Sequence, residues 1–346
     1  MAYTTINKPS EYFNTKLYTG NGSTQSITGV GFQPDLVWLK HRNHTTAYSH
    51  QLYDSARGAT NYLIPNTLAA ENDGGSAPTD TLTSFESDGF NLVASDSING
   101  SRFNFVSWNW KANGSGASNT DGSITSTVSA NTTSGFSIVS WVSTGVAGTI
   151  GHGLGVAPKM IIGKSRTSAN HWQIGHSSIG WTNQFRFTTG ASFSSNQWNN
   201  TAPTSSVFSV ELYDINNPIG DNNIAYCFAE IKGFSKFGSY VGNGNADGTF
   251  IYTGFKPAFF IIKKTDTTNN WLIFDNKRDG FNPQNDDLQA NSSNTENPSN
   301  RLDILSNGFK IRVTDSGVNA SGGTYIYMCF AENPLVGTNG VPTTAR

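Results

Sequence analysis

Charge is scarce in this chain of 346 residues. Asp, Glu, Lys and Arg make up 13% of it, about half the share of an ordinary soluble protein. The net charge is −2 and no basic stripe interrupts the sequence, so the electrostatic footprint of nucleic-acid binding is missing and no nucleic-acid partner is expected. Cysteine is nearly absent as well. Two residues, Cys227 and Cys329, with no Cys-x-x-Cys spacing, exclude both a disulfide scaffold and a cysteine zinc site. No stretch approaches the roughly 20 apolar residues of a membrane-spanning helix. The opening Met1–Lys8 lacks the charged and apolar regions of a signal peptide. Synthesis in a cytosol without membrane insertion is therefore expected.

What is abundant points to strands. Glycine reaches 36 residues and aromatics 12%, among many Asn, Ser and Thr. That combination suits an all-β protein of short strands and many turns. Period-two alternation marks Asp35–Lys40 and Arg102–Trp108 as strands with one face in a core. Asp88-Gly89, Asn99-Gly100 and Asn307-Gly308 supply tight-turn signals.

The chain also repeats itself. Tyr18-Thr19-Gly20-Asn21-Gly22 returns as Tyr240-Val241-Gly242-Asn243-Gly244, with a degenerate Trp141-Val142-Ser143-Thr144-Gly145 between them. A second marker follows each: Gly31-Phe32-Gln33-Pro34, Gly155-Val156-Ala157-Pro158 and Gly254-Phe255-Lys256-Pro257. Spacings of about a hundred residues or more are the size of whole domains, far beyond the roughly 20–50 residues of a solenoid repeat. We expect three tandem antiparallel β-sandwiches, jelly-roll-like, of about eight strands each. Their predicted bounds are 1–111, 136–231 and 234–332. Residues 112–135, almost all Gly, Ser, Asn and Thr, read as a linker, and 333–346 as an extended tail.

Candidate chemistry is thin. Asp54-x-x-Arg57 recurs as Asp275-x-x-Arg278, and the spacing predicts a carboxylate capping its own loop and pairing with the guanidinium. Glu86 with Asp88, and Asp286 with Asp287, are the nearest to paired acids, but they lie in turn contexts and recur in no other repeat. His41, His44 and His50 fall close together without Cys or paired acids beside them, so no metal and no cofactor is assigned. The two cysteines occupy matching places in repeats two and three, with Ser107 in repeat one, and are expected reduced and buried. Trp181, Trp198 and Tyr213 belong to loops of repeat two and have no counterparts elsewhere. Exposed rings among Asn and Ser suit saccharide or protein docking, so these three are the candidate surface-binding residues; packing within their own loops is the alternative.

Lys8 to Gly20, Gly31 to Trp38, Ser87-Asp88-Gly89-Phe90 and Tyr325 to Glu332 together resemble virion structural proteins of tailed bacteriophages, of the marine cyanophage kind. The resemblance implies a non-enzymatic particle component, a tail fibre or tail appendage contributing to host attachment. It carries no catalytic residues. Its implied partners are other virion proteins, further copies of the chain (a trimer among the states) and host surface polysaccharide. The implied location is the virion, after synthesis in the host cytoplasm. A capsid decoration or head-fibre protein and a tail-associated polysaccharide depolymerase are the alternatives.

Overall fold

The computed structural model describes residues 3–44, 46–73, 81–211 and 218–343. Almost all regular structure is strand, and the longest helix among the described residues is the single turn Asp96–Asn99. Every strand pairing inside the named strands is antiparallel.

Each repeat builds the same inner sheet. In the first, Phe13–Thr19 pairs with the closing strand Asn104–Trp110, which pairs with Leu36–His41, which pairs with Gln51–Asp54. The second repeats this order with Phe136–Val142, Asn222–Phe228, Met160–Ser165 and Gln173–His176. The third does so with Ser235–Val241, Thr324–Pro334, Phe255–Lys264 and Trp271–Asp275. Register agrees too: Leu36, Met160 and Phe259, each two residues after its marker proline, face Trp110, Phe228 and Phe330.

Outer strands cover each inner sheet; in the first two repeats they form separate small sheets, and in the third they are continuous with the inner sheet through Gln284–Gln289 and Asn297–Leu305. Gln25–Thr28 pairs with Gly89–Leu92, Gly148–Gly151 with Val207–Val210, and Phe250–Tyr252 with Gly308–Ile311. A jelly roll crosses to the second sheet after its third strand. Here the third and fourth strands stay together in the inner sheet, so the order departs from a jelly roll at that point.

Alternation decides where each side chain goes. Leu36 and Trp38 point inward and Val37 and Leu39 outward, because successive residues of a strand face opposite sides. The outward faces form three separate cores, one per repeat. The inward faces form one core shared by all three, with Trp108, Trp110, Tyr226, Phe228, Phe259 and Phe330 among its members. Phe13 of the first repeat stacks on Phe330 of the third, ring centres 5.2 Å apart, which closes the ring of repeats. Phe187 touches Trp38, Trp172 and Trp271, one from each repeat, at 5.8, 5.8 and 5.4 Å.

Three sequence expectations need correction. Residues 112–135 are not a linker. Ala117–Asn119 and Ser126–Asn131 extend the second inner sheet, with Ile124 and Val128 buried beneath them. The tail is not extended either, since Val336 bridges Pro342 and Thr338 bonds back to Asn7. Finally, the closing-strand register makes Asn109, not Ser107, the first repeat's equivalent of Cys227 and Cys329: they face Val37, Ile161 and Phe260. The error of two residues preserves the face, which is why the pattern looked right. Both cysteines are free thiols, fully buried on outward faces of separate sheets.

Candidate functional sites

The seams between repeats hold most of the buried charged side chains among the described residues. Arg57 donates Nε to Asp54 Oδ2 at 2.6 Å, and Asp54 Oδ1 accepts the Arg57 amide at 2.9 Å. Arg278 and Asp275 reproduce this at 2.5 and 3.0 Å. The carboxylates therefore cap their own loops, as the spacing predicts, and all four side chains are fully buried. Each pair also receives a neighbour. Tyr226 of the second repeat donates to Asp54 at 2.7 Å, and the Trp108 indole of the first donates to Asp275 at 3.0 Å.

A second carboxylate recurs at each pair. Glu71 bridges Arg57 and, across the seam, Arg166, at 3.0 and 2.8 Å. Glu296 bridges Arg278 and, across its seam, Arg42, at 3.3 and 2.6 Å. Loops of unequal length hid this match. Burial pushes the Glu71 carboxyl up, but Arg166 and Arg57 outweigh it and hold it below its ordinary range. The third seam has a neutral group in that place: His176 stands where the aspartates stand and shares a hydrogen bond of 3.2 Å with the Tyr327 carbonyl.

Three buried lysines were missed, although each lies six residues after its marker proline. Lys40, Lys164 and Lys263 are at most 3% exposed. Each Nζ donates once within its own repeat, to the carbonyl of Tyr48, Ser168 or Asn269. Each donates once across a seam, to Ser293, Leu68 or Thr189. The first repeat thus reaches the third, the second the first, and the third the second. Burial lowers Lys40 to about 7, with Glu296 opposing, and Lys164 and Lys263 to about 8.

Five of the six histidines are locked as structure. The Nδ1 atoms of His41, His44, His152 and His176 accept backbone amides, and that of His50 accepts the Trp38 indole. A ring whose Nδ1 is an acceptor carries its neutral proton on Nε2, which is then unsuited to bind a metal. Burial lowers His41 to about 3 and His176 to about 4, so both rings are neutral. Among the described residues no group of three His, Cys, Asp or Glu side chains is placed to hold a metal ion.

The other sequence candidates scatter. Glu86 bonds Ser84 and Asn91, while Asp88 accepts the amides of Gly29 and Gly31. Asp287 is buried against Asn297, Ser299 and Arg301. Asp286 is different: burial first, then Glu296 and Asp279, raise it to about 6. Trp181 and Trp198 are not surface rings. They are 9% and 2% exposed and pack edge to face over Gly175, where a Cβ would come within 2.4 Å of Trp181. Tyr213 lies outside the described residues.

An open cleft of about 400 Å³ remains on the third repeat, lined by Lys256, Lys277, Phe281, Gln284 and Glu332 among others. With this geometry in view, comparison with known proteins gives one match. A family described as "Domain of unknown function (DUF7483)" covers residues 8–334. The chain belongs to this family. A single family description thus spans all three repeats, as does the shared core. No curated protein and no solved structure matches the chain. Among the described residues no helix is long and apolar enough to cross a membrane.

Proposed function

We propose that this member of the family is a non-enzymatic structural protein of a virus particle. In this reading it is part of a tail fibre or tail appendage that contributes to attachment at the host surface, built as three tandem β-sandwich units around one core. The observation that carries the reading is how the buried ionisable groups are used. The aspartates, arginines and lysines of the seams are hydrogen-bonded to one another, to neighbouring side chains or to backbone carbonyls, and many of those bonds join one repeat to the next. Such a molecule is organised for rigidity and presented surface, with the neutral polar exterior of an assembly part.

Location in the virion, assembly with other virion proteins and homo-oligomerisation, a trimer included, belong to this proposal. The edge strand Phe250–Tyr252 turns Phe250 and Tyr252 to solvent and offers a place for such contacts. A capsid decoration or head fibre would use the same construction. One observation favours a depolymerase as the second reading: the raised Asp286 carboxyl beside Asp279 and Glu296 has the character of a general acid.

Quantitative mass spectrometry of purified particles tests the proposal. The chain is expected in the particle fraction at a fixed copy number. Its absence from particles overturns the structural reading. Sustained release of reducing ends from host polysaccharide, abolished by Asp286→Asn, would establish the enzyme instead.

A further inference from the structure

We infer that the cleft beside Phe281 is a binding subsite for an acidic saccharide, which rests on the attachment reading and names its ligand class. Phe281 is 64% exposed, although its loop is firmly held. The Phe281 carbonyl accepts Nε2 of the buried Gln284 at 2.8 Å. Asn282 bonds the Ile304 carbonyl and amide at 2.8 and 2.9 Å, and Asp275 caps the amides of Lys277 and Arg278. An aromatic ring held out to water on a fixed backbone loses little freedom on binding.

The fold does not require an aromatic there. Counted from the end of the fourth strand (Asp54, His176 or Asp275), the same position is Thr60 in the first repeat and Thr182 in the second, both exposed. The cationic wall is equally particular to the third repeat. Lys256 replaces Gln33 and Ala157, and Lys277 replaces Ala56 and Ser178. In the first repeat the neighbouring Ser55 bonds the Gly114 carbonyl at 2.7 Å, so the connecting chain passes there.

The chemistry selects the ligand. A flat apolar ring with convergent polar groups suits the apolar face and hydroxyl edge of a sugar ring. Lys256 is paired with Glu332 at 2.7 Å, which leaves Lys277 as the cleft's uncompensated charge among the described residues. That ammonium fits a uronate carboxylate through a charge-assisted bond. The volume, about 400 Å³, holds one to two sugar rings.

The test is calorimetric titration of the full chain with trigalacturonate and with maltotriose. Saturable binding of trigalacturonate is expected, with maltotriose at least tenfold weaker. Phe281→Ala should weaken trigalacturonate at least tenfold, and Lys277→Gln should erase the difference between the two sugars. Both side chains are exposed, and unchanged thermal unfolding of each variant will establish that the fold is kept. Trigalacturonate that fails to saturate, or that binds Phe281→Ala as tightly as the unaltered chain, overturns the inference. If the chain is found in particles yet binds neither sugar, the cleft is wrong and the particle role stands.

Discussion

Two of the three seams carry buried ion pairs and one carries a neutral ring in their place, although the strands that form them follow the same order. At the seams of Asp54 and Asp275, a buried arginine sits between two carboxylates, with an aromatic donor arriving from the next repeat. At the His176 seam a neutral ring meets a backbone carbonyl, with Phe237 beside it. Both solutions leave the shared core intact. The difference teaches that closure of the ring comes from apolar burial and from the carbonyl-bound lysines common to all three seams. The ionic networks are an elaboration of two of them. Desolvating an ion pair offsets much of its attraction, so such networks add less net stability than their geometry suggests.

The sharpest way to break this comparison is to separate the repeats. A fragment carrying only residues 234–343 exposes Phe237, Phe259, Ile261 and Phe330, which the other repeats cover. It should show no cooperative unfolding transition, whereas the whole chain should unfold in one. A fragment with a full-size calorimetric transition would make the repeats independent domains.

Next in size is the contrast between seams. Asp54→Ala leaves the Arg57 guanidinium buried beside Glu71 alone and should cost about 3–5 kcal/mol in urea unfolding. His176→Ala leaves the buried Tyr327 carbonyl without its partner and hands the amide of the exposed Ser178 to water, and should cost about 1–3 kcal/mol. Equal costs would erase the distinction between the ion-paired seams and the seam with a neutral ring.

The smallest effect is on pH dependence. The lysines have folded pKa values below their unfolded value of about 10.4, so the unfolded chain binds more protons between the two. Stability should therefore rise with pH above about 7, the value to which burial lowers Lys40. Between pH 7 and 9, Lys40→Met should flatten that rise by about 2 kcal/mol. A rise of the same slope in the variant would show that Lys40 keeps its proton when folded.

How far these features were legible depends on whether they were local. The marker prolines show the register of three strands because each fixes its own backbone two residues ahead of the matched inward-facing residue, Leu36, Met160 or Phe259. The Tyr-x-Gly-Asn-Gly motif has an equally local cause. A Cβ at Gly20 or Gly242 would come within 2.2 or 2.4 Å of the carbonyl of Gly100 or Ala320. The side chains of Asn99 and Asn319 receive the amides of Asn21 and Asn243. Contacts between loops distant in the chain left no such trace. Glu71 and Glu296 find equivalent arginines through loops of different length, and Trp181 finds Trp198 only because Gly175 leaves room for both. The strands within 112–135 escaped notice because a half-solvated sheet edge needs few apolar residues. Phe281 was visible as a residue, but its exposure was not, since sequence does not say which side of a loop meets water.

Phe187 carries a consequence for the history of such a molecule. A residue at the centre of a ring has no symmetric copies, because the centre is one place and three repeats compete for it. Aligned on the carbonyls of Leu68, Thr189 and Ser293 that receive the buried lysines, its counterparts are Asn66 and Asn291, which bond the amides of His50 and Trp271 within their own repeats. Three identical copies would send either no ring to the centre or three that collide there. Joining the copies in one chain removes that constraint, because each can then change alone. The second repeat, the most divergent in sequence, is the one whose side chain occupies the centre.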